Sequence, residues 1–316
     1  MTARPSAPTA VHQPAASDAS VRSPFALLLT SMRLEQWTKN LLVFGGLMFG
    51  GRLLDASAVW RALAAFAVFC ALSSTVYLFN DLADREADRS HPLKRSRPLA
   101  SGALAPQAAM LAAGVLALGA LAGAILLSRP FALVACGYLA LLLVYSTSLK
   151  HVVIVDVLTI AGGFVLRAIA GAVVVDVPIG HWLLVCTTLL ALFLALSKRR
   201  HELVLLGDGA TGHRRILEEY SPYLLDQMIA VVTASTLIAY TLYATSADTA
   251  QRFGTDRLGL SVPFVLYGIF RYLYLVHQKR GGGSPAAMLL TDRPLLACVA
   301  LWGLTVALLL YSPLGG

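Results

Sequence analysis

Long apolar stretches recur along this chain from about residue 37 to its end. A helix needs about 20 apolar residues to cross the hydrocarbon core of a bilayer. Nine segments approach that length, and a membrane span is predicted for each: 37–54, 57–80, 103–127, 130–148, 152–175, 180–197, 223–246, 258–277 and 294–312. The first is the least apolar, because the sequence WTKN at 37–40 makes its beginning polar.

The composition supports a membrane protein. Of the 316 residues, 57% are hydrophobic and only 13% are charged, whereas soluble domains carry roughly a quarter charged residues. The predicted fold class is therefore an all-α polytopic membrane protein with nine transmembrane helices. Residues 1–22 are rich in Pro, Ala and Ser and contain no apolar run, so they are predicted to be a disordered cytoplasmic tail. Residues 23–316 are predicted to form the transmembrane domain.

The distribution of Lys and Arg predicts the orientation. Alternate connections between the spans hold only 4 such residues, whereas the remaining connections hold 14, at 81–101, 146–152, 198–221 and 278–293. Basic residues accumulate in cytoplasmic loops. We therefore expect the basic connections and the N-terminus on the cytoplasmic side of a bacterial inner membrane, and the C-terminus outside. The net charge of +8 then indicates loop bias or anionic ligands rather than nucleic acid. The oligomeric state is left open.

Three aspartates follow the second predicted span. In the segment NDLADREAD at 80–88, Asp81, Asp84 and Asp88 fall at i, i+3 and i+7, on one face of a helix. Carboxylates at membrane depth are costly and usually functional. Mg²⁺ takes one or two carboxylates and completes its shell with water or phosphate oxygens. We predict that these three aspartates are catalytic and bind Mg²⁺, the alternative being a solvated loop with its own ion pairs.

A basic segment comes directly after the aspartates. Part of this charge serves the orientation in the membrane, but Lys and Arg beside carboxylates that bind Mg²⁺ are also the usual partners of phosphate oxygens. We expect two of its basic residues to contact a ligand, and the sequence leaves open which. The candidates that we retain from this segment are Lys94, Arg95 and Arg97.

The segment NDLADREADRSHPLKRSRPLASG, at 80–102, resembles the first aspartate motif, NDxxDxxxD, of the UbiA prenyltransferase superfamily. The resemblance extends from about residue 31 to the C-terminus. It implies a nine-helix bundle with an active-site cavity on the cytoplasmic side, in which Asn80 and Arg85 support the aspartates. The chain departs from most members because SKRRHE stands at 197–202, where a second aspartate motif is expected.

These departures are similar to one branch of the superfamily, the decaprenyl-phosphate phosphoribosyltransferases. The matching segments are RLEQWTKNLLVF at 33–44, YSTSLKH at 145–151, FVLRAIAGA at 164–172, KRRHE at 198–202 and TDRPLL at 291–296. The resemblance implies Mg²⁺-dependent transfer of a 5-phosphoribosyl group from phosphoribosyl pyrophosphate to a polyprenyl phosphate, with release of diphosphate. The product would lead toward a cell-wall arabinose donor. Prenyl transfer to an aromatic or lipid acceptor, and transport or lipid binding without catalysis, remain alternatives.

Further candidate residues lie inside or at the ends of the spans. Arg167 is in the middle of a span, where an unpaired arginine costs about 2.5 kcal/mol or more. We predict that Arg167 binds a ligand, and the alternative is that it is a structural partner of Asp156. The other candidates for substrate binding are Lys39, Tyr145, Lys150, Asp156, Lys198 and Arg199.

Overall fold

The structure of the protein, a computed structural model, describes residues 23–91, 94–206, 215–279 and 281–311. All regular secondary structure within these ranges is helical. The described residues form thirteen α-helices: α1 (Pro24–Met32), α2 (Phe44–Phe49), α3 (Ala56–Ala83), α4 (Arg85–Ser90), α5 (Pro106–Leu127), α6 (Arg129–Thr147), α7 (Val155–Val174), α8 (His181–Leu206), α9 (Pro222–Thr245), α10 (Ala247–Phe253), α11 (Val262–His277), α12 (Pro285–Thr291) and α13 (Arg293–Tyr311). The predicted tail, residues 1–22, lies outside the described residues.

Eight helical segments of the described residues are long and apolar enough to cross a membrane. They are α3, α5, α6, α7, α8, α9, α13 and the segment Arg257–His277, in which a short 3₁₀ turn precedes α11. Each coincides with one predicted span, so the last eight of the nine predicted spans are confirmed as helices. Leu111, Leu118 and Leu126 of α5 are largely exposed on the surface of the bundle, as suits a helix surface that faces lipid.

The first predicted span, 37–54, is not one continuous helix. Arg33 takes the left-handed conformation after α1, with φ of 53°, and Leu34–Val43 then forms a 3₁₀ helix before α2. In a 3₁₀ helix residues three apart are eclipsed, so Trp37 and Asn40 face α3 together. Trp37 Nε1 donates to Ser74 Oγ at 3.1 Å, and Asn40 is fully buried. Eight of the nine predicted spans are thus confirmed as helices, and the first is not. Its polar side chains need partners inside the bundle.

Two glycines bring the N-terminal region close to α7. A Cβ atom on Gly171 would lie 1.9 Å from the carbonyl oxygen of Val43, and one on Gly46 would lie 2.4 Å from the backbone nitrogen of Ala172. Small residues allow helix backbones to approach each other in this way. The contact fixes the 3₁₀ helix and α2 against α7, and so positions the polar residues around Asn40.

The helix ends that carry the predicted site residues lie at one end of the bundle. Lys150, in the connection between α6 and α7, contacts Asp84 at the end of α3. Arg199, near the end of α8, contacts Asp156 in the first turn of α7. Four spans therefore bring their charged ends to the same region.

We expect Gly171→Ala to destabilise the protein, because the added methyl group would overlap the backbone of Val43. Overpacking of this kind typically costs about 1–3 kcal/mol, so the melting temperature of the purified protein in detergent should fall by several degrees. Gly137→Ala in α6 is the control, since a Cβ atom there meets nothing within 4 Å. Equal melting temperatures for the two variants would contradict the close packing of this region on α7.

Candidate active site

The three aspartates of the NDLADREAD segment lie at the junction of α3 and α4. Asp81 is in the last turn of α3, Asp84 follows its last residue, and Asp88 is in α4. The backbone N–H of Asp84 donates to the carbonyl of Asn80, and that of Asp88 donates to the carbonyl of Asp84, so the helical winding continues across the junction. Asp81 and Asp88 are buried, whereas Asp84 is partly open to solvent.

Basic side chains cover the two buried carboxylates. Arg97 Nη1 donates to Asp88 Oδ2 at 2.6 Å and to Asp81 Oδ1 at 3.2 Å. Arg33 Nη2 donates to the same oxygen of Asp81 at 2.5 Å. Lys94 Nζ lies 3.8 Å from Asp88 Oδ1. Asp81 and Asp88 therefore face each other across one guanidinium nitrogen. Arg97 and Lys94 lie beside the aspartates, and their contact with a ligand stays a prediction.

Asp84 has its partner on another part of the chain. Lys150 Nζ donates to Asp84 Oδ1 at 2.8 Å, from the short 3₁₀ turn Leu149–His151. The two residues are separated by 66 positions in the sequence. The structure thus brings the aspartate segment and the segment that contains Lys150 into contact. The alternative, in which the aspartates pair only within their own loop, does not hold for Asp84.

The carboxylates fit a divalent ion as a pair. No three His, Cys, Asp or Glu side chains come close enough together to hold a metal ion in the part of the chain that the structure describes. Asp81 and Asp88, however, lie on either side of a position that a cationic nitrogen already takes. Mg²⁺ needs only one or two carboxylates when phosphate oxygens and water complete its shell. The two carboxylates suit Mg²⁺ that is bound together with a phosphate group. A ligand set of all three aspartates stays a prediction.

Arg167 is buried in α7 and has no carboxylate partner among the described residues. Its Nε donates to Asn40 Oδ1 at 2.7 Å, its Nη1 to the carbonyl of Gly163 at 2.9 Å, and its Nη2 to Tyr138 Oη at 2.6 Å. The guanidinium carbon also lies 4.7 Å from the centre of the Tyr138 ring. Neutral groups therefore solvate the positive charge without cancelling it. The alternative of an Arg167–Asp156 pair is wrong.

Lys39 adds a second positive charge that no carboxylate cancels by contact. It precedes Asn40 in the 3₁₀ helix and lies near enough to Arg33 and Arg167 to be repelled by each, while Glu35 attracts it more weakly. Its ammonium group forms no hydrogen bond or ion pair with any described residue. A largely buried cation without a carboxylate in contact is costly, and a bound anion would lower that cost.

A second polar cluster joins α7 to α8 and is internally compensated. Arg199 donates from Nε to Asp156 Oδ2 at 2.6 Å, from Nη1 to Glu202 Oε2 at 2.5 Å and from Nη2 to Tyr145 Oη at 3.1 Å. Tyr220 Oη donates to Asp156 Oδ1 at 3.0 Å. Burial and the neighbouring carboxylate raise the pKa of Tyr220 to about 12, so its hydroxyl keeps its proton and remains a donor. Both oxygens of Asp156 are therefore engaged by protein groups.

The remaining candidate residues lie around these clusters. Arg85 Nε donates to the carbonyl of Leu99 at 3.2 Å. Arg85 therefore holds the segment after α4 in place and does not pair with a described aspartate. Lys198 pairs with a glutamate one turn further along α8, at 3.8 Å. Arg95 is exposed and Asn80 is half-buried. The structure does not bring these four into direct contact with Asp81 or Asp88 through side chains.

Arg33, Asn40, Tyr138 and Tyr220 contact the predicted site residues but were not predicted from the sequence. Arg33 and Asn40 lie in the RLEQWTKNLLVF segment that carries the family resemblance, so a signal for both was present. Tyr138 and Tyr220 carried none, because a single tyrosine in a span or beside one is common in membrane proteins.

One cavity of 210 Å³ lies at the other end of the bundle, between the end of α7 and the beginning of α8. Gly46, Trp182 and Arg252 are among the residues that line it. Asp156 and Arg199 lie at the opposite ends of the same two helices. This cavity is therefore remote from the aspartates, and the predicted active-site cavity on the cytoplasmic side stays a prediction.

A bundle of apolar helices with an ionic cluster at one end defines a polytopic helical membrane protein. The UbiA prenyltransferase family matches residues 41–291 of this chain. The chain belongs to the UbiA prenyltransferase family. The resemblance that the aspartate motif indicated is thereby confirmed.

Individual relatives refine this assignment. The decaprenyl-phosphate phosphoribosyltransferase of Mycolicibacterium smegmatis is 34% identical over 293 residues, which cover 90% of this chain and 92% of that protein. The protein of the same name from Mycobacterium tuberculosis is 34% identical over 284 residues, with 88% and 92% covered. A solved UbiA homologue from Archaeoglobus fulgidus, bound to GPP and Mg²⁺, aligns with a TM-score of 0.68 at 20% identity and covers 89% of this chain and 99% of that chain. The last comparison shows a shared fold.

We expect Asp156→Asn to destabilise the protein strongly, because it removes one of the two carboxylates that contact the buried Arg199 guanidinium, and the one that is itself fully buried. Breaking a buried pair on one side typically costs about 3–5 kcal/mol. The matched control is Asp226→Asn, which breaks the more exposed pair with Arg200 and should cost about 0–1 kcal/mol. Thermal unfolding in detergent measures both. A role of Asp156 in ligand binding alone predicts instead that both variants melt at the wild-type temperature.

Proposed function

We propose that this protein transfers a 5-phosphoribosyl group from phosphoribosyl pyrophosphate to a polyprenyl phosphate, with Mg²⁺ present and with release of diphosphate. The support comes from relatives of that name that are 34% identical over about nine-tenths of the chain. The product is a lipid-linked phosphoribose, from which a cell-wall arabinose donor can be made.

The observation that carries the proposal is an excess of positive charge around the aspartates. Phosphoribosyl pyrophosphate bears a diphosphate and a separate sugar phosphate, so it needs more cations than a prenyl diphosphate does. Two of the cations, Lys39 and Arg167, have no carboxylate partner among the described residues. The full set of basic residues at this end that supports a polyanionic donor is Arg33, Lys39, Arg97, Lys150 and Arg167.

The reaction breaks the bond between ribose C1 and the diphosphate oxygen and forms a bond between C1 and an oxygen of the acceptor phosphate. The acceptor is already an anion, so no side chain has to remove a proton from it. We assign Asp81, Asp84 and Asp88 to binding of the Mg²⁺–diphosphate group. Bound Mg²⁺ would stabilise the negative charge on the leaving diphosphate. Lys39 and Arg167 are assigned to the sugar phosphate. Catalysis then consists of positioning and electrostatic stabilisation.

We place the ionic end of the bundle on the cytoplasmic side of a bacterial inner membrane. The support is the basic bias of the connections at that end, which contain 14 of the Lys and Arg residues. With the N-terminal region as the first crossing, the N-terminus is cytoplasmic and the C-terminus is outside. A water-soluble donor then enters from the cytoplasm, and the lipid acceptor enters from the bilayer.

The test incubates the purified protein with Mg²⁺, a polyprenyl phosphate and phosphoribosyl pyrophosphate labelled in the ribose. Label in the organic phase supports the proposal. The second candidate, prenyl transfer, is favoured by the shared fold with a homologue bound to GPP. It predicts label in the product only when a labelled prenyl diphosphate and an aromatic or lipid acceptor are supplied. A protein that transports or only binds lipid predicts no labelled product in either case.

We expect Asp81→Asn and Asp84→Asn each to lower kcat at least about 100-fold, because each removes a carboxylate that binds or orients the Mg²⁺–diphosphate group. Both variants should still purify as folded protein, as judged by size-exclusion chromatography. Asp248→Asn is the control, since Asp248 is exposed at the opposite end of the bundle. Near-normal turnover in either aspartate variant would refute the assignment of that residue.

Lys39→Met should raise the KM for phosphoribosyl pyrophosphate about tenfold and leave the KM for the polyprenyl phosphate nearly unchanged, because one charge-assisted contact to the donor is lost. The control is Lys279→Met, at the end of α11, where the ammonium group lies over the Tyr274 ring instead. Steady-state kinetics with each substrate varied in turn measures the effect. An equal rise in both KM values would speak against a contact specific to the donor.

A further inference from the structure

The carboxylates of Asp81 and Asp88 lie beneath basic side chains. The side chains of the two aspartates are 2% and 3% exposed. Those of Arg33 and Arg97, which contact them, are 26% and 28% exposed. The guanidinium groups are thus on the solvent side of the cluster. A metal ion that arrives from solution meets a positive charge before it meets a carboxylate.

The charge balance of this cluster disfavours a divalent ion on its own. The two carboxylates of Asp81 and Asp88 are balanced by the guanidinium groups of Arg33 and Arg97, and Lys94 adds a further positive charge 3.8 Å from Asp88. A divalent ion alone would add two positive charges among groups that are largely buried. A diphosphate group that enters together with the ion supplies compensating negative charge.

The two arginines also keep hydrogen-bond donors unused. Arg97 donates to the described residues through Nη1 only, and Arg33 through Nη2 only. A guanidinium group has five N–H donors in a planar fork, which matches the oxygens of a phosphate. The unused donors of both residues are therefore suited to an anionic ligand at the solvent side of the carboxylates.

We propose that Arg97 exchanges partners when the donor binds. In the structure Arg97 Nη1 bridges Asp81 and Asp88, and so supplies positive charge between the two carboxylates. In the loaded protein the carboxylates hold the divalent ion, and Arg97 contacts oxygens of the diphosphate group. The ion and the diphosphate consequently bind as a coupled pair. The ion displaces Arg97 from the carboxylates, and the diphosphate then accepts the hydrogen bonds of Arg97. This inference rests on the proposed function, because it takes these aspartates as the metal–diphosphate site.

The test measures the two ligands separately on the purified full-length protein. Binding of Mn²⁺ alone is followed by electron paramagnetic resonance of the free ion. Binding of radiolabelled inorganic pyrophosphate in the presence of Mg²⁺ is followed by equilibrium dialysis. Arg97→Gln should bind Mn²⁺ alone about tenfold more tightly than the wild type, because the competing charge is gone. It should bind pyrophosphate with Mg²⁺ about tenfold more weakly, because a charge-assisted contact is lost.

Opposite shifts for the two ligands distinguish the exchange from structural damage, which weakens both. The matched control is Arg271→Gln, because Arg271 pairs with Asp292 at 2.8 Å and contacts neither Asp81 nor Asp88. It should leave both affinities unchanged. If Arg97→Gln does not fold, Arg97→Met provides the same test, since it also removes the charge between Asp81 and Asp88.

Two results would overturn the exchange. One is a wild-type protein that binds Mn²⁺ alone as tightly as in the presence of pyrophosphate. The other is an Arg97→Gln variant in which the two affinities fall together or do not change. Asp88→Asn separates this failure from failure of the proposed function. If Asp88→Asn abolishes pyrophosphate binding, only the exchange is refuted; if it binds pyrophosphate as the wild type does, the metal–diphosphate site itself is refuted.

Discussion

Charges buried at one end of an apolar helix bundle must be compensated there, and this constraint governs the end of the protein that carries the ionic clusters. Water is scarce around Asp81, Asp88, Asp156 and Arg199, each of which is nearly inaccessible. An uncompensated ion in such surroundings is costly. The ends of α3, α4, α7 and α8, together with the 3₁₀ helix after Arg33, are therefore held together by ion pairs as well as by apolar packing.

The two polar clusters meet this constraint in different ways. Around Arg199, the carboxylates of Asp156 and Glu202 are engaged by side chains of the protein, so the cluster is complete as it stands. Around Arg167 and Lys39, positive charge is solvated by neutral groups or left without a contact partner. The first arrangement suits a structural joint between helices. The second suits a site that is completed by a polyanionic ligand, which agrees with the proposed donor.

Several residues of the candidate site could be predicted because the sequence marks them locally. The spacing of Asp81, Asp84 and Asp88, and the position of Arg167 inside an apolar span, are visible without a structure. Their partners could not be predicted in the same way. Arg97 bridges two aspartates, and Lys150 reaches an aspartate 66 positions away. Such pairings depend on which helix ends become neighbours, and single-sequence periodicity contains no information on that.

The amino-acid sequence by itself determined the fold class, eight of the membrane spans, the family and the end of the bundle that carries the charges. It could do so because apolar length and local charge spacing are properties of contiguous residues. Tertiary structure decided that the first predicted span, 37–54, begins within a 3₁₀ helix and is not one continuous helix, and that Asp156 pairs with Arg199 rather than with Arg167. Both outcomes arise from packing between distant segments, where buried polar groups select the partners that satisfy them.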